Sequence, residues 1–230
     1  MIYDKKIIKA EFIDRPNRFY ANVKLEGKEI KVHVPNTGRC KELLIPGVTV
    51  YLREENNPAR KTPYDLIMVK KGDILISIDS HIPNKVVEEA LKMGKIKKLK
   101  KYNTILREKM FEKSRFDFKI SDNEENEYYL EVKGVTLEDD KYARFPDAPT
   151  ERGTRHLWEL IKAKKRGYGA GVLFLIQLEG VLNFSPNDER DSKFGEALRA
   201  AKAAGVDIFA YNCIVTEESI EINEEVQIIL

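Results

Sequence analysis

The stretch RFDFKI (115–120), SDNEENE (121–127), YYLEVKG (128–134) reads as two strands joined by a polar turn, and its register decides what the C-terminal half of the chain becomes. Folded symmetrically about Glu124, Phe116 faces Val132, Phe118 faces Leu130 and Ile120 faces Tyr128. All three pairs are apolar, as a buried sheet face requires. The other face pairs Arg115 with Lys133 and Asp117 with Glu131. A slip of one residue sets polar against apolar throughout, so this register is favoured.

Successive strand residues alternate faces, so Glu131 and Lys133 share one. Asp117 and Glu131 are then expected to hold their Cβ atoms roughly 5 Å apart, a like-charge pair that destabilises a sheet unless something compensates. A hard divalent cation compensates: Mg²⁺, or Mn²⁺ in its place, takes carboxylate oxygens and keeps several waters. Two carboxylates, an ammonium and a water at a cation suit the hydrolysis of a phosphodiester. An ordinary hairpin with a polar outer face uses the same residue types, so the register carries this expectation rather than the D…ExK spacing alone.

Working outward, Thr150–Arg166 reads as a helix with Leu157, Leu160 and Ile161 on one face and Gly167 as its stop. Gly171–Gln177 is a continuous apolar run, as in a strand buried on both faces. Asp191–Ala204 reads as another helix and Val206–Tyr211 as another buried strand. Upstream, Asn84 is placed to cap a helix through Val86, Val87, Ala90 and Leu91 that ends near Gly94. The order is α-β-β-α-β-α-β, an α/β domain over residues 84–230. Residues 1–83 read differently. Alternation over 6–14, 20–26, 29–34, 48–53, 65–69 and 73–78, with no long helix, predicts a small OB-like β-barrel.

The net charge of +2 hides a gradient: residues 1–82 carry +4, 83–119 carry +7 and 120–230 carry −9. A basic stretch beside an acidic half suits a polyanion together with a cation, though solvated helix faces also look like this. The basic stretch includes Lys97, Lys98, Lys100 and Lys101. No apolar run is long enough to cross a membrane, and the first residues lack the apolar core of a signal peptide. Cys40 and Cys213 are the only cysteines, which excludes a disulfide framework and a zinc ribbon and points to the cytoplasm.

Further motifs lie along the whole chain: Arg18-Phe19, Pro35-Asn36-Thr37-Gly38, Ser114–Phe118, Glu131–Leu137, Phe145–Gly153, Phe184-Ser185-Pro186 and Gly205-Val206 leading to Ala210-Tyr211. In this order they resemble the sugar fermentation stimulation protein (SfsA) family. The resemblance implies an OB-like N-terminal domain, a C-terminal domain similar to PD-(D/E)xK nucleases, and binding of nucleic acid, DNA rather than RNA. It implies Asp117 and Glu131 as metal ligands, Lys133 as the residue that orients the attacking water, and Glu108 as a further acid. This chain departs from many relatives in carrying Arg39-Cys40-Lys41 after the turn, where they have small residues.

Several residues keep two readings. Asn36-Thr37-Gly38 makes a tight turn whose N–H groups suit a phosphate, with Arg18 and Arg39 as neighbours, and a purely structural turn uses the same types. Arg152 suits a bidentate phosphate clamp, beside an ordinary Glu151/Arg155 helix pair. Arg115 adds a cation near the hairpin. Phe19, Tyr20 and Tyr51 read either as stacking surfaces for single strands or as ordinary barrel core. His156 reads as a structural histidine within its helix, and Trp158 as packing. Three functions compete: a Mg²⁺- or Mn²⁺-dependent nuclease, a DNA-binding regulator that keeps the scaffold without catalysis, and a sugar-phosphate-binding protein.

Overall fold

A computed structural model describes all 230 residues. The first six strands are β1 (Ile7–Asp14), β2 (Tyr20–Leu25), β3 (Lys28–His33), β4 (Thr49–Glu54), β5 (Tyr64–Lys71) and β6 (Ile74–Ser77). They follow the order β3-β2-β1-β4-β5-β6, and an extra parallel pairing of β3 with β5 at His33 and Asp65 closes five of them into a barrel. Closure removes the sheet edges that would otherwise offer unpaired N–H and C=O groups. Alternate residues fill the interior: Ala21, Val23, Val32, Val50, Leu52, Leu66 and Val69 are buried. Positions 41–43 form a short turn.

The second half opens with α1 (Ile82–Lys92) and a single 3₁₀ turn at Lys97–Leu99. Strands β7 (Thr104–Phe111), β8 (Ser114–Ser121), β9 (Glu127–Val135), β10 (Glu138–Asp139) and β11 (Tyr142–Phe145) follow, then α2 (Glu151–Lys165). The remainder is β12 (Gly169–Ile176), β13 (Asn183–Pro186), α3 (Asp188–Ala203), β14 (Asp207–Val215), β15 (Ile220–Glu225) and β16 (Gln227–Ile228). The main sheet has the order β15-β14-β12-β9-β8-β7, with β9, β12 and β14 parallel at its centre. Helices α2 and α3 connect neighbouring parallel strands, as such crossovers require.

The central strands are apolar on both faces because both are covered. Val86, Val87, Ala90 and Leu91 of α1 pack with Phe118, Ile120, Leu130, Leu173 and Leu175. Leu157, Leu160 and Ile161 of α2 and Phe194 and Leu198 of α3 pack with Val172, Phe174 and Ile176 on the other face. A small sheet, β10-β11-β13-β16, lies beside them. Its strands have two to four residues, too short for period 2 to show in the sequence.

The hairpin departs from expectation at one end. Pairing is observed for Phe118 with Leu130, Lys119 with Tyr129, Ile120 with Tyr128 and Ser121 with Glu127, which is the expected register. It stops there, so Phe116–Val132, Asp117–Glu131 and Arg115–Lys133 are not cross-strand pairs. Phe116 instead packs against Tyr129 and His156 on the α2 side, at 5.8 and 5.9 Å between ring centroids. Phe118 stays on the α1 side. In place of a ladder bond, the Asp117 carboxylate accepts the Val132 N–H at 2.8 Å. Asn84 is likewise not a cap. The helix begins at Ile82 with Pro83 in its first turn, where a missing N–H costs nothing, which leaves the Asn84 amide free to point elsewhere.

Candidate active site

Beyond Leu130, strands β8 and β9 splay, and the opening they leave is the floor of a cavity of about 370 Å³. Asp117, Glu131 and Lys133 line it from below, and Arg144 and Arg152 from β11 and α2. Asn36, Thr37 and Gly38 of the barrel and Ser80 of the connecting segment close it from above. The cavity therefore exists only because the barrel's turn sits on the α/β domain.

Each carboxylate is held differently. Asp117 Oδ1 accepts the Asn84 side-chain N–H at 2.8 Å, and Oδ2 accepts the Val132 N–H. Burial pushes its carboxyl upward, and the neighbouring Glu131 charge pushes it the same way. Glu131 is 3% exposed. Burial alone raises its carboxyl too, but the Lys133 ammonium and the His156 ring outweigh burial and hold it below the ordinary carboxylate range. Lys133 Nζ and His156 Nδ1 both meet the same oxygen, Oε1, at 2.5 Å. A carboxylate only accepts, so the His156 ring nitrogen donates. The other oxygen, Oε2, is buried and has no hydrogen-bond partner.

An orphaned carboxylate oxygen beside a second carboxylate raised by burial and by its neighbour's charge is what a divalent cation would satisfy. The residues fit Mg²⁺ or Mn²⁺: hard oxygen donors from two carboxylates, with space left for water. Arg144 Nε and Gln177 Oε1 are also buried without partners on the same cavity, so its far wall is polar and unsatisfied as well. Leaving such groups bare is costly in a native structure unless a ligand or water meets them.

Of the residues expected from sequence, Asp117, Glu131, Lys133, Asn36, Thr37 and Arg152 come together here. Glu108 does not. The strand register sets its backbone level with Asp117, but a left-handed φ of 52° breaks the ladder and its exposed carboxylate meets Arg115 at 3.4 Å. That pair leaves Arg115 outside the cavity too. Arg18 and Arg39 line a separate groove next to it. Lys97, Lys98, Lys100 and Lys101 lie toward the other end of β9. Lys98 pairs with Asp207, which also accepts from the Tyr128 hydroxyl near the strand's start, and Lys101 pairs with Asp122 in the hairpin turn. Tyr51 is buried, whereas Phe19 is 45% exposed under the Arg18 guanidinium.

Sequence reasoning missed four contributors. His156 was readable as structural, yet it holds the key glutamate. Its signal was available: Glu131 belongs on the face that the apolar stripe of α2 covers. Asn84 reads from sequence as a helix cap, whereas the helix starts two residues earlier and the Asn84 amide meets Asp117. Arg144 precedes a cis Phe145–Pro146 bond on a strand too short to detect. Arg15 donates to the carbonyls of Asn36, Gly38, Arg39 and Arg18 at 2.6–2.9 Å and so shapes the turn over the cavity. Asn36 completes that turn by accepting the Gly38 N–H and donating to the Ile78 carbonyl, both at 2.7 Å.

Comparison with known proteins agrees with both halves of the fold. The family model described as the SfsA N-terminal OB domain matches residues 13–78, and that described as the sugar fermentation stimulation protein RE domain matches residues 81–219. A sugar fermentation stimulation protein homolog of Clostridium tetani is 64% identical over 230 residues, the whole of both chains. One from Clostridium botulinum is 66% identical over 224 residues, 97% of each. The solved structure of Pyrococcus furiosus SfsA in complex with Ca²⁺ is 30% identical with a TM-score of 0.90, covering 100% of this chain and 98% of that one.

Proposed function

The chain belongs to the sugar fermentation stimulation protein family, and from that premise we propose that it is a DNA-binding protein whose carboxylate cavity hydrolyses a phosphodiester with Mg²⁺ or Mn²⁺. The observation that carries this reading is the buried, unpartnered Oε2 of Glu131 beside Asp117. The Ca²⁺ in the Pyrococcus furiosus relative supports a divalent site in this family, because Ca²⁺ also takes oxygen donors.

In this reading Asp117 and Glu131 hold the cation, which when bound neutralises phosphate charge and acidifies a water. Asn84 and the Val132 N–H fix Asp117, so that its remaining lone pairs face the cavity. His156 and Lys133 both engage Oε1 of Glu131, which leaves Oε2 for the cation. Lys133 orients the attacking water and offsets the charge that develops on the phosphorus oxygens. Arg144 and Arg152 are two guanidiniums with no ion pair of their own. They hold the phosphate by bidentate hydrogen bonds and keep it in line.

The test is incubation of the pure protein with single- and double-stranded DNA in Mg²⁺, Mn²⁺ or EDTA. Cleavage is expected with either metal and none with EDTA. Glu131→Gln is expected to lower the rate at least about 10²-fold, the scale of removing one aligned electrostatic group. Binding without cleavage under every metal condition supports the non-catalytic regulator instead.

A further inference from the structure

On the other side of the Asn36-Thr37-Gly38 turn lies a second cavity, of about 430 Å³, with Arg18, Arg39 and Lys41 on its walls. No carboxylate lies within ion-pair distance of these three cations. Asp14, the acid on the same wall, is already engaged by the Asn22 side chain at 2.8 Å. Phe12, Leu44 and Pro46 supply an apolar lining. At the rim the Arg18 guanidinium rests 4.8 Å from the centroid of the half-exposed Phe19 ring.

The two cavities share one residue, Gly38. A Cβ there would lie 2.8 Å from the Asp147 carboxylate and 3.0 Å from the Asn36 side chain, so a larger residue would have to displace one of them. Arg15, committed to four carbonyls, fixes the wall without competing for a ligand.

We propose that this groove holds the single-stranded tail of a DNA substrate whose adjoining phosphodiester enters the carboxylate cavity. A duplex with a single-stranded extension is then preferred to a blunt one. Unpaired cations match successive phosphates, a half-exposed aromatic ring matches an unstacked base, and a cavity of this size takes a nucleotide or two but no duplex. The groove and the carboxylate cavity adjoin at Gly38, so a strand that crosses over this turn reaches both. The inference rests on the carboxylate cavity being the phosphodiester site.

Binding is measured in EDTA, apart from any cleavage, with a labelled blunt duplex and the same duplex carrying a 3′ or a 5′ tail. At least one tailed form is expected to bind about tenfold more tightly than the blunt one, as one stacked base and a few phosphates would give. In the triple variant Arg18→Gln, Arg39→Gln, Lys41→Gln, that ratio is expected to fall to near one. Its log–log salt slope for tailed DNA is expected to be shallower by about two, from roughly 0.7 per phosphate. Phe19→Ala is expected to lower the ratio without changing the slope. Lys41→Gln alone repeats the direction if the triple variant melts early. Equal binding of blunt and tailed duplexes overturns the proposal. So does displacement of the tail by sub-millimolar glucose 6-phosphate at constant ionic strength, which assigns the groove to a small phosphorylated ligand. Tail preference without cleavage in Mg²⁺ or Mn²⁺ overturns the catalytic reading alone, and cleavage without tail preference overturns this inference alone.

Discussion

Two groups of buried carboxylates flank the segment that joins the barrel to α1, and they are satisfied in opposite ways. At the barrel end, Arg53 donates to Glu55 at 2.7 Å, to Asp65 at 2.9 Å and to Asp79 at 3.0 Å. Arg60 and Lys5 add further pairs, and His33 and His81 meet Asp65 and Asp79 at 2.9 and 3.0 Å. No carboxylate oxygen in this group is left without a partner. In the cavity, one ammonium and one imidazole both meet a single oxygen of Glu131, Asp117 has only an amide and a backbone N–H, and the other Glu131 oxygen has nothing. A complete network marks a part of the molecule built to stay closed. An incomplete one marks a part built to receive a ligand.

The largest effect that would break this contrast lies in the complete network. Arg53→Met removes the hub and leaves three buried carboxylates short of a partner. Losing one member of a buried ion network costs about 3–5 kcal/mol, which for a chain of this size lowers Tm by on the order of 10 °C. A loss below 1 kcal/mol by urea titration would mean that the network is not structural. The pH dependence follows from Asp65. Burial raises its carboxyl, but its partners, Arg60 first and then His33 and Arg53, outweigh burial and leave it below its ordinary 3.8. The folded protein thus binds that proton less readily than the unfolded chain. The stabilisation is complete above about pH 4 and is lost as pH falls through the lowered folded value. Arg53→Met is expected to shrink that acid-dependent loss, read as a flatter Tm profile between pH 4 and pH 2.

Next in size is the response of the incomplete group to metal. Mn²⁺ at a hundred times its Kd stabilises a folded-state site by about 2.7 kcal/mol, a rise of roughly 5–10 °C. Asp117→Asn is expected to abolish that rise while changing the metal-free Tm little, since it also relieves repulsion from Glu131. An equal Mn²⁺ shift in wild type and Asp117→Asn would show that the cation binds elsewhere.

The same contrast explains how much was legible in advance. Barrel, sheet and the two later helices follow from alternation, from continuous apolar runs such as Gly171–Ile176, and from breakers such as Gly167. The hairpin register was legible because Phe118–Leu130 and Ile120–Tyr128 admit no slip. The splay at Asp117 was not, because alternation runs unbroken through Phe116, Phe118 and Ile120 while the backbone changes partner. What replaces the ladder is a side chain accepting a backbone N–H, and no periodicity reports that. The start of α3 fails for a related reason. The helix begins at Asp188, but Asp191 leaves helical geometry and its carboxylate accepts the Thr150 and Phe194 N–H groups, so the sequence signal points to Asp191.

The smallest effect concerns charges that belong to neither group. Lys98 and Lys101 make exposed pairs with Asp207 and Asp122, toward the far end of β9 from the cavity. Exposed pairs of this kind are screened by solvent and contribute little. Replacing Lys97, Lys98, Lys100 and Lys101 by glutamine is therefore expected to shift Tm by only a few degrees. The more telling measurement is the salt dependence of DNA affinity. If the strand runs from the Arg18 groove through Gly38 to the cavity, these lysines release no counterions on binding. The log K against log salt line of the quadruple variant then superimposes on wild type in slope. If they track a duplex arm, each phosphate they neutralise flattens the line by roughly 0.9, so four would flatten it by between three and four. A change of that size would move the duplex footprint to the opposite end of the sheet and leave the groove to carry the tail alone.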